Sequence, residues 1–495
     1  MSVTETTSIW IASTGITDID EATLSLASSE TPSIQTIWRE QKETLKGTQQ
    51  LSEFTQRLGR EWAIETGIIE NLYEIDRGLT QTLIEHGFRA ELMEHGASKQ
   101  PREFVLQLLR DQKDALDGIF DFVANRRSLS VAYIKEMHGA LLRSQTHVDA
   151  IDSLGRHIEV PLIRGDWKRS ENYPIRDGVK YLYCPPAQVA SEMEKLVMMH
   201  LKHREQRVSP DVAAAWLHHR FTQIHPFQDG NGRVARALAS LVLVQADLFP
   251  LTISRDKKTE YIDALEAADS GDLRALIEVV AQFQRSQFRK ALAISENVIA
   301  ERVDVQGALD ALIRTVSSDA KPNAEALSDV FDIARAIESD LANNLAELSP
   351  KLTSLIKRKD RRAVARVAVS NEADSYYFKA QIMKNAESRY DYQPAQRDYA
   401  SWVALNLSLR AERRARLVFT FHGIGRPFSG SLVCAPFWET TDYENKLPAG
   451  SEVRPIASEP FIFFYNEKVD LVATRFKPWR DEVLKMALHE LGKEL

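Results

Sequence analysis

The chain has 495 residues, 44% of them hydrophobic, and a formal net charge of −7. That is enough apolar material for two to four packed domains, at roughly 100–200 residues each, and it excludes a disordered chain. The charge gives no ground for nucleic-acid wrapping or attraction to an anionic membrane. Two distant cysteines, Cys184 and Cys434, make no disulfide framework and suit a reducing compartment. No run is apolar enough to span a bilayer, and no basic stretch followed by an apolar core marks a signal peptide. A cytoplasmic enzyme is the expectation.

Residues 1–34 are rich in Ser and Thr, with an apolar patch at Ile9-Trp10-Ile11, and read as a partly ordered arm. Apolar spacing predicts a helix from Ser33 to about Arg60, ended by Gly59. A second helix is expected up to Thr66, then a short turn through Thr66-Gly67-Ile68-Ile69-Glu70-Asn71; taken alone, Glu70 is a solvated side chain at a helix end. Residues 72–145 read as helices with short breaks, and Ser130 caps one starting at Val131. His138 in that helix has no partners at metal spacing and reads as a core or subsurface residue.

Between residues 149 and 186 the helical period disappears. Tyr173-Pro174-Ile175-Arg176 and Val179-Lys180-Tyr181-Leu182-Tyr183 flank Asp177-Gly178, a hairpin signal. Pro174 suits an edge strand, and an edge can recruit another chain by backbone pairing. Residues 187–203 form an amphipathic helix. His218 and His219 follow in the next helix as structural or solvent-facing residues.

The most informative stretch is His225-Pro226-Phe227-Gln228-Asp229-Gly230-Asn231-Gly232-Arg233-Val234-Ala235-Arg236. Pro226 ends one helix and residues 234–244 form another. Between them Gly-Asn-Gly lets successive backbone N–H groups converge at a helix N-terminus, an anion nest suited to phosphate. Asp229 can hold Mg2+ bridging phosphate oxygens. Arg233 and Arg236 sit three apart on the first turn and can pair with phosphate. His225 is the natural general base for a hydroxyl, and Phe227 anchors the loop in the core. A plain helix–loop–helix turn with surface arginines is the competing interpretation, and the full set of residue types argues against it.

This string is similar, at every specified position, to the Fic motif His-x-Phe-x-(Asp/Glu)-Gly-Asn-Gly-Arg-x-x-Arg. Fic proteins mostly transfer AMP from ATP to a hydroxyl of a target protein. The resemblance implies that His225 deprotonates the target hydroxyl and that Asp229 binds Mg2+. Gly230, Asn231 and Gly232 would cradle the phosphates, with Arg233 and Arg236 completing the site. It further implies a β-hairpin flap in which Lys180, Tyr181, Leu182 and Tyr183 cover the nucleotide and hold the target extended. Thr66-Gly67-Ile68-Ile69-Glu70-Asn71 resembles the family's N-terminal inhibitory pattern (Ser/Thr)-x-x-x-Glu-(Gly/Asn). There Glu70 would pair with Arg236 and take the place of the ATP γ-phosphate. Tyr261 and Asp269, in residues 256–273, resemble positions near the ribose and adenine; many relatives carry Asn where Asp269 stands.

Residues 301–369 read as largely helical and polar, and the basic cluster at 357–362 as a solvated face. Strands are expected at 415–421, 431–435 and 460–465, with a fourth at 469–474, then a helix from Trp479 to about Leu491. The expected architecture is mainly α: an N-terminal helical region (1–110) carrying the inhibitory helix at about 60–71, a Fic-type core (111–300), a helical connector (301–370) and a mixed α/β domain (371–495) of open role. The expected activity is AMP transfer to a protein hydroxyl with ATP as substrate, autoinhibited by Glu70. The alternatives are removal of AMP, or both reactions, at the same site, or a nucleotide-gated binding module; Gly232 in place of Lys argues against phosphoryl transfer. Partners would be a protein target, with no nucleic acid and no membrane; homo-oligomer formation stays open.

Overall fold

A computed structural model of the chain describes residues 5–93, 101–151, 156–172, 175–176, 179–301, 324–358, 361–371, 373–386, 390, 392, 394–410, 413–424, 430–444, 447–457 and 459–494. They fall into two compact units, residues 1–42 with 46–287, and residues 43–45 with 288–495.

The first unit is helical. The expected long N-terminal helix is two: α2 (Thr31–Leu45) follows a one-turn α1 (Glu21–Leu24), and α3 spans Gln49–Ile69. The break falls at Gly47, whose φ of +76° suits glycine, and Thr48 caps the new helix by accepting from Leu51 N–H. Gly59 ends nothing; it lies buried inside α3, where a backbone of ordinary helical φ gives it no stop function. The second helix expected before Thr66 is thus the rest of α3. α4 (Arg77–His86), α5 (Arg102–Ala124) and α6 (Val131–Leu141) follow, and the Ser130 hydroxyl caps α6 by accepting from Tyr133 N–H.

α7 (Pro186–Glu205), α8 (Pro210–Ile224) and α9 (Asn231–Gln245) bring the motif to the centre. α8 and α9 are buried almost all round, and Trp62, Trp216, Phe221 and Phe227 are fully buried near them. Each such side chain contributes about 1.5–3 kcal/mol of hydrophobic stabilisation. α10 (Lys258–Asp269) and α11 (Arg274–Glu301) complete the helices. Two small sheets interrupt them. β2 (His147–Ile151) and β3 (His157–Pro161) form an antiparallel hairpin that the loss of helical period announced only as irregular chain. The other has the order β1-β5-β4: β4 (Ile175–Arg176) and β5 (Val179–Leu182) are the expected hairpin, and β1 (Glu5–Ser8) joins parallel to β5. From Glu5 onward the N-terminal arm is therefore structured, with Ile9, Trp10 and Ile16 buried.

The second unit is the mixed α/β part. β6 (Val364–Val369), β7 (Pro394–Arg410), β8 (Arg413–Ile424), β9 (Ser431–Glu444) and β10 (Leu447–Pro455) form an antiparallel sheet in the order β10-β9-β8-β7-β6, and β11 (Phe461–Phe464) also pairs with β9. The two-residue period divides its faces. Val403, Leu405, Leu417 and Phe419 share one core with α12 (Ala324–Ile356) and α14 (Val469–Glu494); Trp402, Ala404 and Val418 share another with Ile382 of α13 (Lys379–Asn385). The segment expected as a connector thus supplies a face of this core and the strand β6. The strand expected at 469–474 is the first turn of α14, where Val472 and Phe476 are buried at a four-residue spacing while Leu471 is exposed.

Candidate active site

The motif loop is built by what holds it. α8 ends at His225, whose backbone is left-handed at φ 52° and ψ 58°, and whose N–H donates to Phe221 O at 2.9 Å. Few non-glycine residues adopt that conformation, and His is among the more tolerant. Gly230 (φ +76°) turns the chain into α9, and a Cβ there would strike Leu142. The Asn231 side chain is buried and closes the loop on itself: its Oδ1 accepts from Phe227 N–H at 2.9 Å and its Nδ2 donates to Phe227 O at 2.8 Å. So the phosphate cradle expected of Gly230, Asn231 and Gly232 has only backbone N–H groups to offer; the Asn231 amide is spent on the loop.

His138 supports the same loop from below. Its Nδ1 accepts from Gly165 N–H at 2.8 Å, which leaves Nε2 to donate to Asp229 O at 3.0 Å. The ring stacks on Phe227, with centroids 3.7 Å apart. Burial holds its pKa down to about 4, so it stays neutral. Residues 163–172 zip along the other side: Asn172 donates to Phe227 O, Lys168 N–H to Pro226 O and Ile163 N–H to Gln228 Oε1.

Asp229 faces the start of α9 with its carboxylate partly exposed. Gln145 donates to Asp229 Oδ2 at 2.7 Å and Arg233 does so at 3.0 Å. Burial would raise the carboxyl pKa; the Arg233 charge and the hydrogen bonds from Gln145 and Gly230 N–H outweigh it and hold the group below the ordinary value. Arg233 also donates to Gln145 Oε1 at 3.0 Å, while its Nε and Nη1 are buried with no acceptor among the described residues. A buried guanidinium left that way suits an anion, and the first N–H groups of α9 point to the same place. Among the described residues no three His, Cys, Asp or Glu side chains cluster as a metal site. Asp229 alone fits Mg2+, which keeps its waters and shares phosphate oxygens with one or two carboxylates.

Arg236 is buried and donates to Glu70 Oε1 at 2.7 Å and to Thr66 O at 3.3 Å. A Cβ on Gly232 would overlap the Glu70 carboxylate. Burial would lower the Arg236 pKa, but Glu70 and the Tyr261 oxygen raise it. Tyr261 is itself buried, with its hydroxyl 2.7 Å from His218 Nε2. Burial and the Arg236 charge keep His218 neutral, so it accepts the phenol proton and leaves the oxygen's lone pairs to Arg236. Tyr261 thus lies beneath Arg236. Asp269 is fixed by His219, whose Nδ1 takes an Arg220 N–H at 3.1 Å and whose Nε2 donates to Asp269 Oδ1 at 3.0 Å. Neither His218 nor His219 faces solvent; both are buried.

α3 presents Glu70 at its C-terminal end. Trp62 Nε1 donates to Ser240 Oγ of α9 at 3.2 Å, and the same hydroxyl accepts from Leu251 N–H and donates to Arg236 O. Glu65, buried one turn earlier, accepts from Arg255 N–H at 2.7 Å and from its guanidinium at 2.9 Å. Tyr73 reaches Ala63 O across Gly67, where any side chain would collide with the phenol. The sequence marks none of Trp62, Glu65, Ser240 or Arg255: each is unremarkable in its own helix or loop, and the pairs Trp62–Ser240 and Glu65–Arg255 join positions 178 and 190 residues apart.

The hairpin supplies the roof. Lys180, Tyr181 and Leu182 lie half-buried on β5. Tyr183 follows directly and stacks on His225, with ring centroids 4.1 Å apart and planes 17° from parallel. The structure therefore gathers His225, Asp229, Gly230, Gly232, Arg233, Arg236, Glu70 and Tyr183 around one loop. It brings Tyr261 in behind Arg236 and ties Asp269 to His219.

Residues 128–243 match the family model described as Fic/DOC family, and this segment of the chain is a Fic/DOC domain. The chain is 43% identical over 90 residues to a Fido domain-containing protein of Dictyostelium discoideum, covering 18% of this chain and 62% of that protein. It is 38% identical over 160 residues to the protein adenylyltransferase Fic of Culex quinquefasciatus, covering 30% of each. A solved Fic domain-containing signaling protein of Bacteroides thetaiotaomicron aligns with 54% of this chain and 98% of its own, at 19% identity and a TM-score of 0.44. The chain spans less than two thirds of the length of these curated relatives.

Proposed function

We propose that the chain is a protein adenylyltransferase that moves AMP from ATP to a hydroxyl side chain of a protein, and that Glu70 holds it in an inhibited state. The reading is carried by one observation: the 2.7 Å pair of Glu70 and Arg236 sits at the mouth of the α9 N-terminus, beside a second arginine with unsatisfied donors. The relatives named as protein adenylyltransferases support it.

In this mechanism the N–H groups at the start of α9, with Arg233, bind the phosphates. Asp229 would hold Mg2+, which neutralises phosphate charge when bound. His225 takes the proton of the target hydroxyl as its oxygen attacks the α-phosphorus, and the bond from that phosphorus to the bridging oxygen breaks, releasing pyrophosphate. Tyr183 fixes the imidazole by stacking. Glu70 competes for Arg236 with the γ-phosphate. A carboxylate there turns the triphosphate away from in-line attack, so the inhibition is one of pose.

The test is transfer from labelled ATP in lysate. Glu70→Gly should raise it at least tenfold over wild type, and His225→Ala in that background should abolish it while nucleotide binding persists. Wild-type transfer equal to that of Glu70→Gly would refute the inhibition; unchanged transfer without His225 would refute the base. A second reading, removal of AMP, rests on Glu70 Oε2: Arg236 takes the other carboxylate oxygen, and Oε2 would position the attacking water. Release of AMP from a modified protein, lost in Glu70→Gly, would support it.

A further inference from the structure

Gln145 lies outside the motif, 84 residues before Asp229, yet its side-chain amide meets both charged groups at the start of α9. Its Nε2 donates to Asp229 Oδ2 at 2.7 Å and lies 3.5 Å from His147 O, while its Oε1 accepts from Arg233 Nη2 at 3.0 Å. Acceptors face the nitrogen and a donor faces the oxygen, so the amide has one orientation. The same Arg233 Nη2 donates to Asp229 Oδ2 at 3.0 Å. Carboxylate, guanidinium and amide close a ring of contacts.

The turn that carries Gln145 is fixed from outside the site. α6 ends at Leu141, whose carbonyl oxygen accepts from Gln112 of α5 at 2.9 Å. Ser144 N–H donates to the buried Asp111 carboxylate of α5, also at 2.9 Å. Gln145 N–H closes the turn on Leu142 O at 3.1 Å, and the Leu142 side chain abuts Gly230. Leu162 N–H then donates to Thr146 O where the β2–β3 hairpin begins. Gln145 is therefore held against the motif loop by chain that itself binds no ligand.

The ring matters because Asp229 and Arg233 are opposite charges four positions apart. A carboxylate and a guanidinium with nothing between them settle into two parallel hydrogen bonds, the stronger arrangement. In that pose the carboxylate gives its charge to the arginine and not to a cation. Here the amide takes a share of both Oδ2 and Nη2, and the pair is limited to one contact. Arg233 Nε and Nη1 stay without an acceptor among the described residues, so the guanidinium has not closed on Asp229.

We propose that Gln145 is a positioning residue: its amide restrains Arg233 to a single contact with Asp229 and so leaves the Asp229 carboxylate to Mg2+ beside the triphosphate. The proposal rests on the transferase reading above and adds a residue that the motif does not contain.

The test is how far Mg2+ strengthens nucleotide binding, which needs no AMP transfer. It uses the full-length Glu70→Gly chain and α,β-methylene-ATP, whose carbon bridge blocks release of AMP. Calorimetry gives the dissociation constant with EDTA and with Mg2+, and the ratio of the two measures what each ligand gains from the other. Gln145→Met keeps the length of the side chain and removes both amide contacts; the ratio should fall at least fivefold. In Gln145→Glu the new carboxylate still accepts from Arg233 and adds negative charge beside the cation; the ratio should be no smaller than the parent's. Should Gln145→Met fail to fold, Gln145→Asn takes its place with the same expected fall, since its amide is one methylene too short to span the pair. A side chain that only supports the fold would lower the ratio in both kinds of variant or in neither, and either result overturns the proposal. A Glu70→Gly parent that binds no tighter with Mg2+ than with EDTA removes the metal-dependent transferase reading and this inference with it. A parent that gains from Mg2+, with Gln145→Met gaining as much, removes this inference alone.

Discussion

At the residue scale, Asn231 and Gly232 divide the work of the loop. The Asn231 amide satisfies the buried Phe227 N–H and shares the Phe227 carbonyl oxygen with Asn172. Asn231→Ala leaves that N–H unsatisfied, which costs about 1–3 kcal/mol, while Asn172 still donates to Phe227 O. We expect a lowered Tm by thermal unfolding and a fall in AMP transfer larger than the fall in nucleotide binding, because the base and the nest sit on opposite ends of the same loop. Gly232→Ala acts differently. Its Cβ falls on the Glu70 carboxylate, so the variant should weaken the Glu70–Arg236 pair and raise basal transfer, though less than Glu70→Gly does. A Gly232→Ala chain as inhibited as wild type would show that Glu70 can move aside at no cost to its grip. The motif residues were legible because each carries a distinct chemistry at fixed spacing. The purpose of the Asn231 side chain was not, since an amide that binds phosphate and one that binds its own loop look alike in sequence. His138 was readable as a core residue, but its stack on Phe227 depends on a contact between α6 and a loop ninety positions away.

At the element scale, α3 is positioned by Arg255, which clamps Glu65, and by its own Trp62, which donates to Ser240 of α9. Arg255→Ala should let the end of α3 swing and release Glu70 in part. Transfer from labelled ATP is expected to rise two- to fivefold, and Arg255→Ala combined with Glu70→Gly should match Glu70→Gly alone. α7 carries a different sensitivity. His200 is buried with neither ring nitrogen bonded among the described residues, and burial, with the charges of Arg204 and His203, holds its pKa down to about 4. Between the ordinary value near 6.5 and pH 4 the unfolded chain binds a proton there and the folded chain does not, so stability falls as pH falls, by about 1.4 kcal/mol per pH unit for such a group. His200→Leu should flatten the decline of the urea midpoint between pH 6.5 and 4.5. Helix existence was well marked in the sequence by apolar spacing, as in α5 and α6. Helix ends were less so: Gly47 and Gly59 look equivalent in sequence, and only the backbone at Gly47 requires a positive φ. The start of α14 misled because Val469, Leu471 and Ala473 alternate like a strand, while burial selects Val472 and Phe476.

At the scale of the whole molecule, the two units have separate cores. Residues 288–495 contain a sheet covered on both faces, with Phe419, Phe421, Phe463 and Trp438 buried together with α12 and α14. Such a core supports independent folding. A fragment of residues 288–495 should unfold cooperatively, with coincident transitions by far-UV and near-UV circular dichroism; a drawn-out or non-coincident transition would mean that it depends on the rest of the chain. This part was hardest to foresee. β7 is 17 residues long and follows a helix, and its alternation is blurred because both faces are apolar. Among the described residues no helix is long and apolar enough to cross a membrane.

The Ser240 hydroxyl takes an indole N–H from α3, takes an amide N–H from the segment after α9, and gives its own proton to Arg236 O. An apolar side chain in its place would strand two donors, the Trp62 indole N–H and the Leu251 N–H, and on the inhibition proposed above would alter the ratio of shut to open molecules. If Glu70 restrains transfer as proposed, the tuning of that restraint and the chemistry it restrains are inherited through different positions, and a lineage can drift in how tightly it is leashed while its reaction stays the same.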